Sequence, residues 1–434
     1  MQEQQQSPAS PSPIVPPVSA PRVPTGELVA PVDDLITQLP FEQPAIIRQG
    51  VLVETEDGEI VMEQAADQAF NPASAMKLAT ALMALRTLGP QYRFATAVWT
   101  NGTFDKATGT ITGDLIVSGR DPSMHYEHAV IIARELNRQG IRTVTGDLIV
   151  APRFTMNFNS SSLRSGERFY DTLDATRRPV AATRAWYDNR QAASDYQTLQ
   201  SQPSVAVMGA VYTDAVPAGA RLLLTHRSST LVDVLKVLLC YSNNFMAERL
   251  GDGLGGAAGL RRFLVNEVDI TSGDVRVASA SGLGVNRLTP RAMLKVYRAL
   301  SDELAKHRLS PADIMPVAGI DPGTLRKRFE SSPSRGSIIA KTGTLYRTDG
   351  GASALVGQTR ARNGELLMFV IFNGRGNVRR FRESQDSLIA DLQNARGGPA
   401  PFAYTPHTLA MRLADTELDP AKPSNKDEYE PTAN

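Results

Sequence analysis

The chain has 434 residues, 42% of them hydrophobic, and a formal net charge of +1. That length suffices for two domains plus tails, and the balanced charge gives no electrostatic basis for binding nucleic acid. The single cysteine, Cys240, excludes an intrachain disulfide, and no apolar run approaches the roughly 20 residues of a membrane-spanning helix.

Residues 7–31 are dense in Pro, Ser, Ala and Val, and residues 1–31 read as a Pro-rich disordered linker. A hairpin is predicted next, Gln49 to Thr55 and Glu59 to Met62, turned at Asp57-Gly58. Asn71 suits an N-cap and Pro72 a first helical turn, so a helix is expected from Ala73 through Leu88. Ser74 then lies where backbone N–H groups lack intrahelical partners and the helix dipole favours developing negative charge. Lys77 is three residues on, on the same face. A serine hydroxyl needs a neighbouring base to become a nucleophile. A neutral lysine can be that base if burial and another cation lower its pKa. The same four residues also fit a solvated helix, although Met76, Leu78 and Ala79 flank Lys77.

From about 90 to 225 the pattern becomes strand-rich. Arg93 to Thr100, Thr110 to Val117 and Thr143 to Val150 read as strands, and His125 to Gln139 as a helix. Thr110-Ile111-Thr112-Gly113-Asp114-Leu115-Ile116-Val117 is nearly repeated by Thr143-Val144-Thr145-Gly146-Asp147-Leu148-Ile149-Val150, which suggests paired strands in one inserted domain. Residues 155–203 are polar and read as surface loop. His125 and His128 have no third ligand nearby and read as solvated helix residues; no metal is expected.

Two further motifs follow. Leu231 to Cys240 is an apolar to amphipathic helix, interrupted by Tyr241-Ser242-Asn243-Asn244 before Phe245 to Leu250. Ser and Asn favour turns and helix starts; Ser242 could relay a proton and Asn244 could hold Lys77 and a substrate carbonyl, though a plain helix corner fits too. Cys240 beside them reads as a buried structural thiol. Gly251 to Gly256 fits G-x-G-x-x-G but follows a helix, which fails the context for a dinucleotide site; a flexible loop is the better reading. The third motif, Lys341-Thr342-Gly343, continues through Thr344 in a strand, followed by strands Ala352 to Thr359 and Glu365 to Phe372. Lys341, Thr342 and Thr344 suit a carboxylate. Gly343 lets a substrate backbone lie close, and the Thr344 N–H could join that of Ser74 as an oxyanion donor. An edge strand guarded by a lysine reads the same way. A helix from Val378 to Asn394 follows, and residues 397–434 read as a disordered tail.

Ser-x-x-K, an S-x-N element and K-T-G, in that order, are the trio of serine β-lactamases and penicillin-binding proteins. With His226-Arg227-Ser228, Gly323 to Phe329, Gly113-Asp114-Leu115 and Gly119-Arg120-Asp121-Pro122, the chain resembles the penicillin-binding D-alanyl-D-alanine carboxypeptidases of the S13 type, over roughly residues 32–396. Ser279-Ala280-Ser281-Gly282-Leu283 stands where many relatives carry Asp-Gly-Ser-Gly-Leu. The stretch between Lys77 and Ser242 is shorter than in the best-known multidomain members.

The resemblance implies an α+β fold of the serine β-lactamase/transpeptidase type: an antiparallel sheet flanked by helices, an all-helical lobe over 231–302, and an inserted mixed α/β domain. The catalytic domain is expected at 32–90 and 226–396 and the insert at 91–225. The implied activity is hydrolysis of the D-Ala-D-Ala end of peptidoglycan stem peptides through a Ser74 acyl-enzyme, with possible endopeptidase action. Ser74, Lys77 and Ser242 would be catalytic; Asn244, Lys341, Thr342, Gly343 and Thr344 would bind substrate. No cofactor is implied, β-lactams would acylate Ser74, and the location would be periplasmic or extracytoplasmic, with a signal peptide trimmed from this chain. A β-lactamase and a non-catalytic penicillin-binding module are the alternatives.

Overall fold

A computed structural model of the chain describes residues 48–192, 202–331, 333–406 and 408–420. The expected linker over 1–31 and the expected tail beyond 420 lie outside the described residues. β1 (Gln49–Thr55) and β2 (Ile60–Gln64) form the predicted hairpin. A 3-10 turn, Ala73–Ala75, runs straight into α1 (Met76–Leu88). Asn71 opens that turn, its Oδ1 accepting the Ala73 N–H at 3.1 Å.

The next stretch carries β3 (Ala95–Thr100), β4 (Thr103–Asp105), β5 (Thr110–Thr112), β6 (Leu115–Gly119), α2 (Tyr126–Arg138), β7 (Thr143–Val144) and β8 (Leu148–Val150). It ends with α3 (Ser162–Leu173), α4 (Val180–Ala192), β9 (Ala206–Val207), β10 (Val211–Thr213) and β11 (Arg221–Arg227). The helical lobe follows: α5 (Leu231–Tyr241), α6 (Asn244–Gly253), α7 (Gly256–Asn266), the short pair β12 (Val275–Arg276) and β13 (Arg287–Leu288), α8 (Pro290–Lys306) and α9 (Pro311–Ile314). The chain then makes β14 (Ile338–Leu345), β15 (Ala352–Arg360), β16 (Leu366–Gly374), α10 (Val378–Asn394), α11 (Leu409–Ala414) and β17 (Glu417–Pro420).

Two sheets dominate. The five-stranded sheet has the order β14-β15-β16-β1-β2, antiparallel throughout, so strands from both ends of the chain close one surface. Its central strands are buried on both faces, which explains their near-continuous apolar sequences. Val51, Val53, Leu355, Phe369 and Ile371 pack towards Ile389 and Leu392 of α10. The alternate residues Leu52, Ala354, Val356, Val370 and Phe372 join the core shared with α1, α5 and α8. Period-two alternation therefore gives the sheet two different neighbours.

The second sheet has the order β10-β8-β6-β3-β11-β17. The internal echo divides here at its Gly-Asp corners. First halves β5 and β7 pair in parallel within a four-stranded sheet, and second halves β6 and β8 pair in parallel within the six-stranded one. A third rung, β9 and β10, stacks on them: Gly146 N–H bonds Gly113 O and Gly209 N–H bonds Gly146 O, each at 2.9 Å. Each corner aspartate accepts an N–H of the next rung, Asp114 from Asp147 at 2.8 Å and Asp147 from Ala210 at 2.6 Å. The third rung escapes sequence inspection because it keeps the glycine and the apolar spacing but loses the Thr and Asp.

Several expectations are corrected. Residues 155–203 contain α3 and α4 rather than loop alone, because Phe169, Leu173 and Trp186 bury a face. His128 is fully buried, not solvated: its Nδ1 accepts the His125 N–H at 3.0 Å and its Nε2 lies 2.9 Å from the Leu413 carbonyl. Gly251–Gly253 end α6 instead of forming a loop. The described residues between 397 and 420 include α11 and β17. Leu409 and Leu413 are buried, and β17 pairs with β11; Arg93 reaches Asp415 and Glu417, and Arg227 reaches Asp419. His226 lies within β11 of the six-stranded sheet, so that sheet extends past the boundary expected at 225/226.

Candidate active site

The first motif sits on the turn into α1. Lys77 is fully buried, whereas Ser74 is half-buried and reachable. The Lys77 amine stands 3.0 Å from Ser74 Oγ. It also donates to Asn244 Oδ1 at 2.7 Å and to the Ser281 carbonyl at 2.6 Å. A neutral amine has two hydrogens and one lone pair. Two acceptors take the hydrogens, which leaves the lone pair for the Ser74 hydroxyl. Burial holds the Lys77 pKa down to about 7, against a smaller opposing pull from Glu248.

The second motif forms a corner. Ser242 ends α5 in the left-handed region, φ 55° and ψ 42°, a conformation that costs energy in a residue with a side chain. Asn243 then caps α6, accepting the Met246 N–H at 3.0 Å, an interaction of about 1 kcal/mol. The corner turns Ser242 towards Lys341, whose amine donates to Ser242 Oγ at 2.8 Å and to the Thr342 carbonyl at 2.6 Å. Its neighbour Cys240 is buried, and burial pushes that thiol up to about 12.

Lys341 lies on β14, at the edge of the five-stranded sheet. It was expected to offer a cation to a carboxylate. Instead it is fully buried, and burial together with the charge of Lys77 holds its pKa well below the usual amine range. A cation beside the motif that keeps access to solvent is the half-buried Arg382 of α10, whose Nη2 donates to Thr344 Oγ at 2.7 Å. The peptide groups of β14 alternate sides. Ala340 N–H bonds the Pro316 carbonyl and the Ile338 carbonyl accepts from Ala318 N–H, both away from β15. By the same alternation the Thr344 N–H points away from β15, to the open edge.

Two glycines set the close approaches. A Cβ on Gly343 would stand 2.5 Å from the Pro72 carbonyl oxygen. Gly343 therefore lets the Ser74 turn rest on β14, rather than making room for substrate as expected. Gly282, at φ +85°, would put a Cβ 1.9 Å from the Ala73 carbonyl oxygen, so the 279–283 loop lies directly over the same turn.

The geometry thus gathers Ser74, Lys77 and Asn244 in one set of contacts and Ser242 and Lys341 in another, with the Lys77 charge felt at Lys341 and Thr342 and Thr344 on the same strand. Four contributors were missed. Ser281 supplies a carbonyl to Lys77, and Glu248 Oε1 accepts the Ser281 N–H at 2.9 Å. Asn71 Nδ2 donates to the Gly284 carbonyl at 3.0 Å and ties the loop to the turn. Arg382 is the fourth; the basic run Arg379-Arg380-Arg382 opening the helix after the meander was its only signal.

The family model described as the D-Ala-D-Ala carboxypeptidase 3 (S13) family matches residues 28–191 and 172–392. The chain belongs to this S13 family. Among its relatives, the D-alanyl-D-alanine carboxypeptidase of Actinomadura sp. (strain R39) is 26% identical over 477 residues, covering 86% of this chain and 83% of that protein. D-alanyl-D-alanine carboxypeptidase DacB of Haemophilus influenzae is 25% identical over 390 residues, covering 69% and 79%. A penicillin G-acylated predatory endopeptidase of Bdellovibrio bacteriovorus shares the fold, with a TM-score of 0.71, 22% identity, and coverage of 84% of this chain and 97% of that one. Penicillin-binding protein 4 (DacB) of Haemophilus influenzae, solved with a β-lactam, gives 0.59 at 23% identity, covering 81% and 97%. The S13 fold is thus α+β and β-lactamase/transpeptidase-like, and with Ser279-Ala280-Ser281-Gly282-Leu283 in this loop the Ser281 carbonyl accepts from Lys77.

Proposed function

We propose that the chain is a serine D-Ala-D-Ala carboxypeptidase that acts on peptidoglycan stem peptides, outside the cytoplasmic membrane, through an acyl-enzyme on Ser74. The Ser74 hydroxyl gives its proton to neutral Lys77 and attacks the penultimate carbonyl. The N–H groups of Ser74 and Thr344 receive the oxyanion; losing one such donor typically costs about 10²–10³-fold in turnover. Ser242, held by Lys341, gives its hydroxyl proton to the departing D-Ala amine and takes in exchange the proton that Lys77 received from Ser74, so Lys77 returns to its neutral form. Water then cleaves the ester and restores Ser74. The terminal carboxylate is held at the open edge of β14 by Thr342, Thr344 and Arg382, and the guanidinium supplies the permanent charge. A β-lactam ring amide presents the same carbonyl and carboxylate, so it acylates Ser74.

The observation that carries this reading is the buried Lys77 amine, bonded to Asn244 Oδ1 and the Ser281 carbonyl, with its nitrogen 3.0 Å from Ser74 Oγ. The test is Ser74→Ala: covalent labelling by a fluorescent penicillin disappears while the melting temperature stays within a few degrees. Labelling that persists rejects Ser74 as nucleophile.

A further inference from the structure

A second cavity, of about 700 Å³, opens between the six-stranded sheet and the C-terminal ends of α1 and α6. Leu88 ends α1 eleven residues after Lys77, so about 16 Å of helix separates the two, at ~1.5 Å per residue. No residue of the three motifs lines this cavity.

Its walls combine two kinds of surface. Leu88, Phe94 and Leu254 are apolar, while Arg120, Arg153 and Arg249 bring guanidinium groups; no Asp or Glu is among the described lining residues. Arg249 reaches Asp252 at 3.4 Å, yet its Nε is buried with no partner. Arg120 and Arg153 have no hydrogen-bond or ion-pair partner among the described residues. Burial and the charge of Arg153 together hold Arg120 below the ordinary arginine range. The adjacent Asp121 does not neutralise it. That carboxylate is turned inward, buried, and accepts from the Ser123 N–H and hydroxyl at 2.8 and 2.6 Å. Arg153 also stands at φ 69°, in the left-handed region that side-chain-bearing residues seldom occupy without a compensating role. Arg120 belongs to Gly119-Arg120-Asp121-Pro122, a motif that acyl transfer leaves unused.

Like charges converging on an apolar-walled cavity are costly until an anion joins them. Guanidinium forks match carboxylate and phosphate oxygens in paired hydrogen bonds. We propose that this cavity is a second binding site, for a small ligand that joins a carboxylate pair or a phosphate to an apolar body. The proposal is independent of the Ser74 mechanism.

Two probes distinguish the sources: N-octanoyl-glutamate, a dicarboxylate with an alkyl tail, and octyl phosphate. Each is titrated calorimetrically into the full chain, before and after exposure to benzylpenicillin. One or both bind at one site per chain, equally well in the two preparations and more weakly as salt rises; the tighter probe names the anion class. R120Q and R153Q each weaken binding by about tenfold or more. Arg153 is exposed, so R153Q keeps the parent melting temperature and gives a readout even where R120Q does not fold. Failure of both probes to bind overturns the proposal. So does binding that ignores R153Q, or binding lost once the chain is acylated, which would place the ligand in the catalytic cleft.

Discussion

The wall of α1 and the junction between α5 and β14 each bury a lysine completely, and they satisfy it in opposite ways. Lys236 of α5 meets the Asp321 carboxylate at 2.7 Å, with the Ala312 and Met315 carbonyls, also at 2.7 Å, completing its three donors. Asp321 in turn accepts from the Val317 N–H and the Tyr404 hydroxyl. Val317 bridges to Ile339 of β14, so this pair pins the helix that ends at Ser242 to the strand that carries Lys341. Lys77 meets only neutral oxygens, from Ser74, Asn244 and Ser281. Equal burial therefore gives a structural fastener where a carboxylate is in contact and an amine of lowered pKa where none is, as at Lys77 and Lys341. Desolvation penalises the charged form in both places, and only the first has a direct counter-ion to offset it.

The sharpest way to break this contrast is Lys77→Arg. A guanidinium cannot lose its proton at working pH, so acylation by benzylpenicillin should fall by at least about 10³-fold; near-normal stopped-flow acylation would end the case for Lys77 as base. Asp321→Asn attacks the other lysine. It leaves Lys236 buried without a counter-ion and should cost about 3–5 kcal/mol of folding stability in guanidinium denaturation. Replacing both partners by Met and Leu should recover most of that loss, and a cost below about 1 kcal/mol for Asp321→Asn alone would show that the pair is no fastener. Arg382→Gln should lower kcat/KM about 10–100-fold for peptides with a free C-terminal carboxylate. It should barely affect C-terminal amides, and equal losses on both would remove Arg382 from carboxylate recognition.

The smallest effect concerns the proton on Lys77 itself. In the proposed mechanism its neutral form is the active one, and burial lowers its pKa to about 7. The acylation rate should therefore drop about tenfold per pH unit below 7 and level off above it. A flat profile from pH 5 to 8 would contradict a lysine base with that pKa.

The candidate site was legible where its contacts are short in sequence. Ser74 and Lys77 share a face because a helix brings residues three apart together. The Ser242–Asn244 corner follows from the turn preference of its residues, and the final meander from its alternation and turn. Contacts between distant segments were not legible. Nothing in the local composition of residues 279–283 announces that the Ser281 carbonyl will receive the Lys77 amine, 204 residues away. Lys341 reads as a free cation until burial removes it from solvent, and Arg382 as surface charge until α10 packs on the sheet. Leu409 and Leu413 lie in a polar stretch whose two buried side chains gain meaning only once β11 offers an edge for β17.

Local spacing alone thus placed Ser74 and Lys77 on one helical face and Lys341-Thr342-Gly343 in a strand, because backbone periodicity and turn chemistry act over a few residues. Tertiary packing alone decided which lysine meets a carboxylate and which meets only neutral oxygens. It also decided which cation faces the open strand edge, since desolvation and pairing depend on neighbours that the chain brings in from far away.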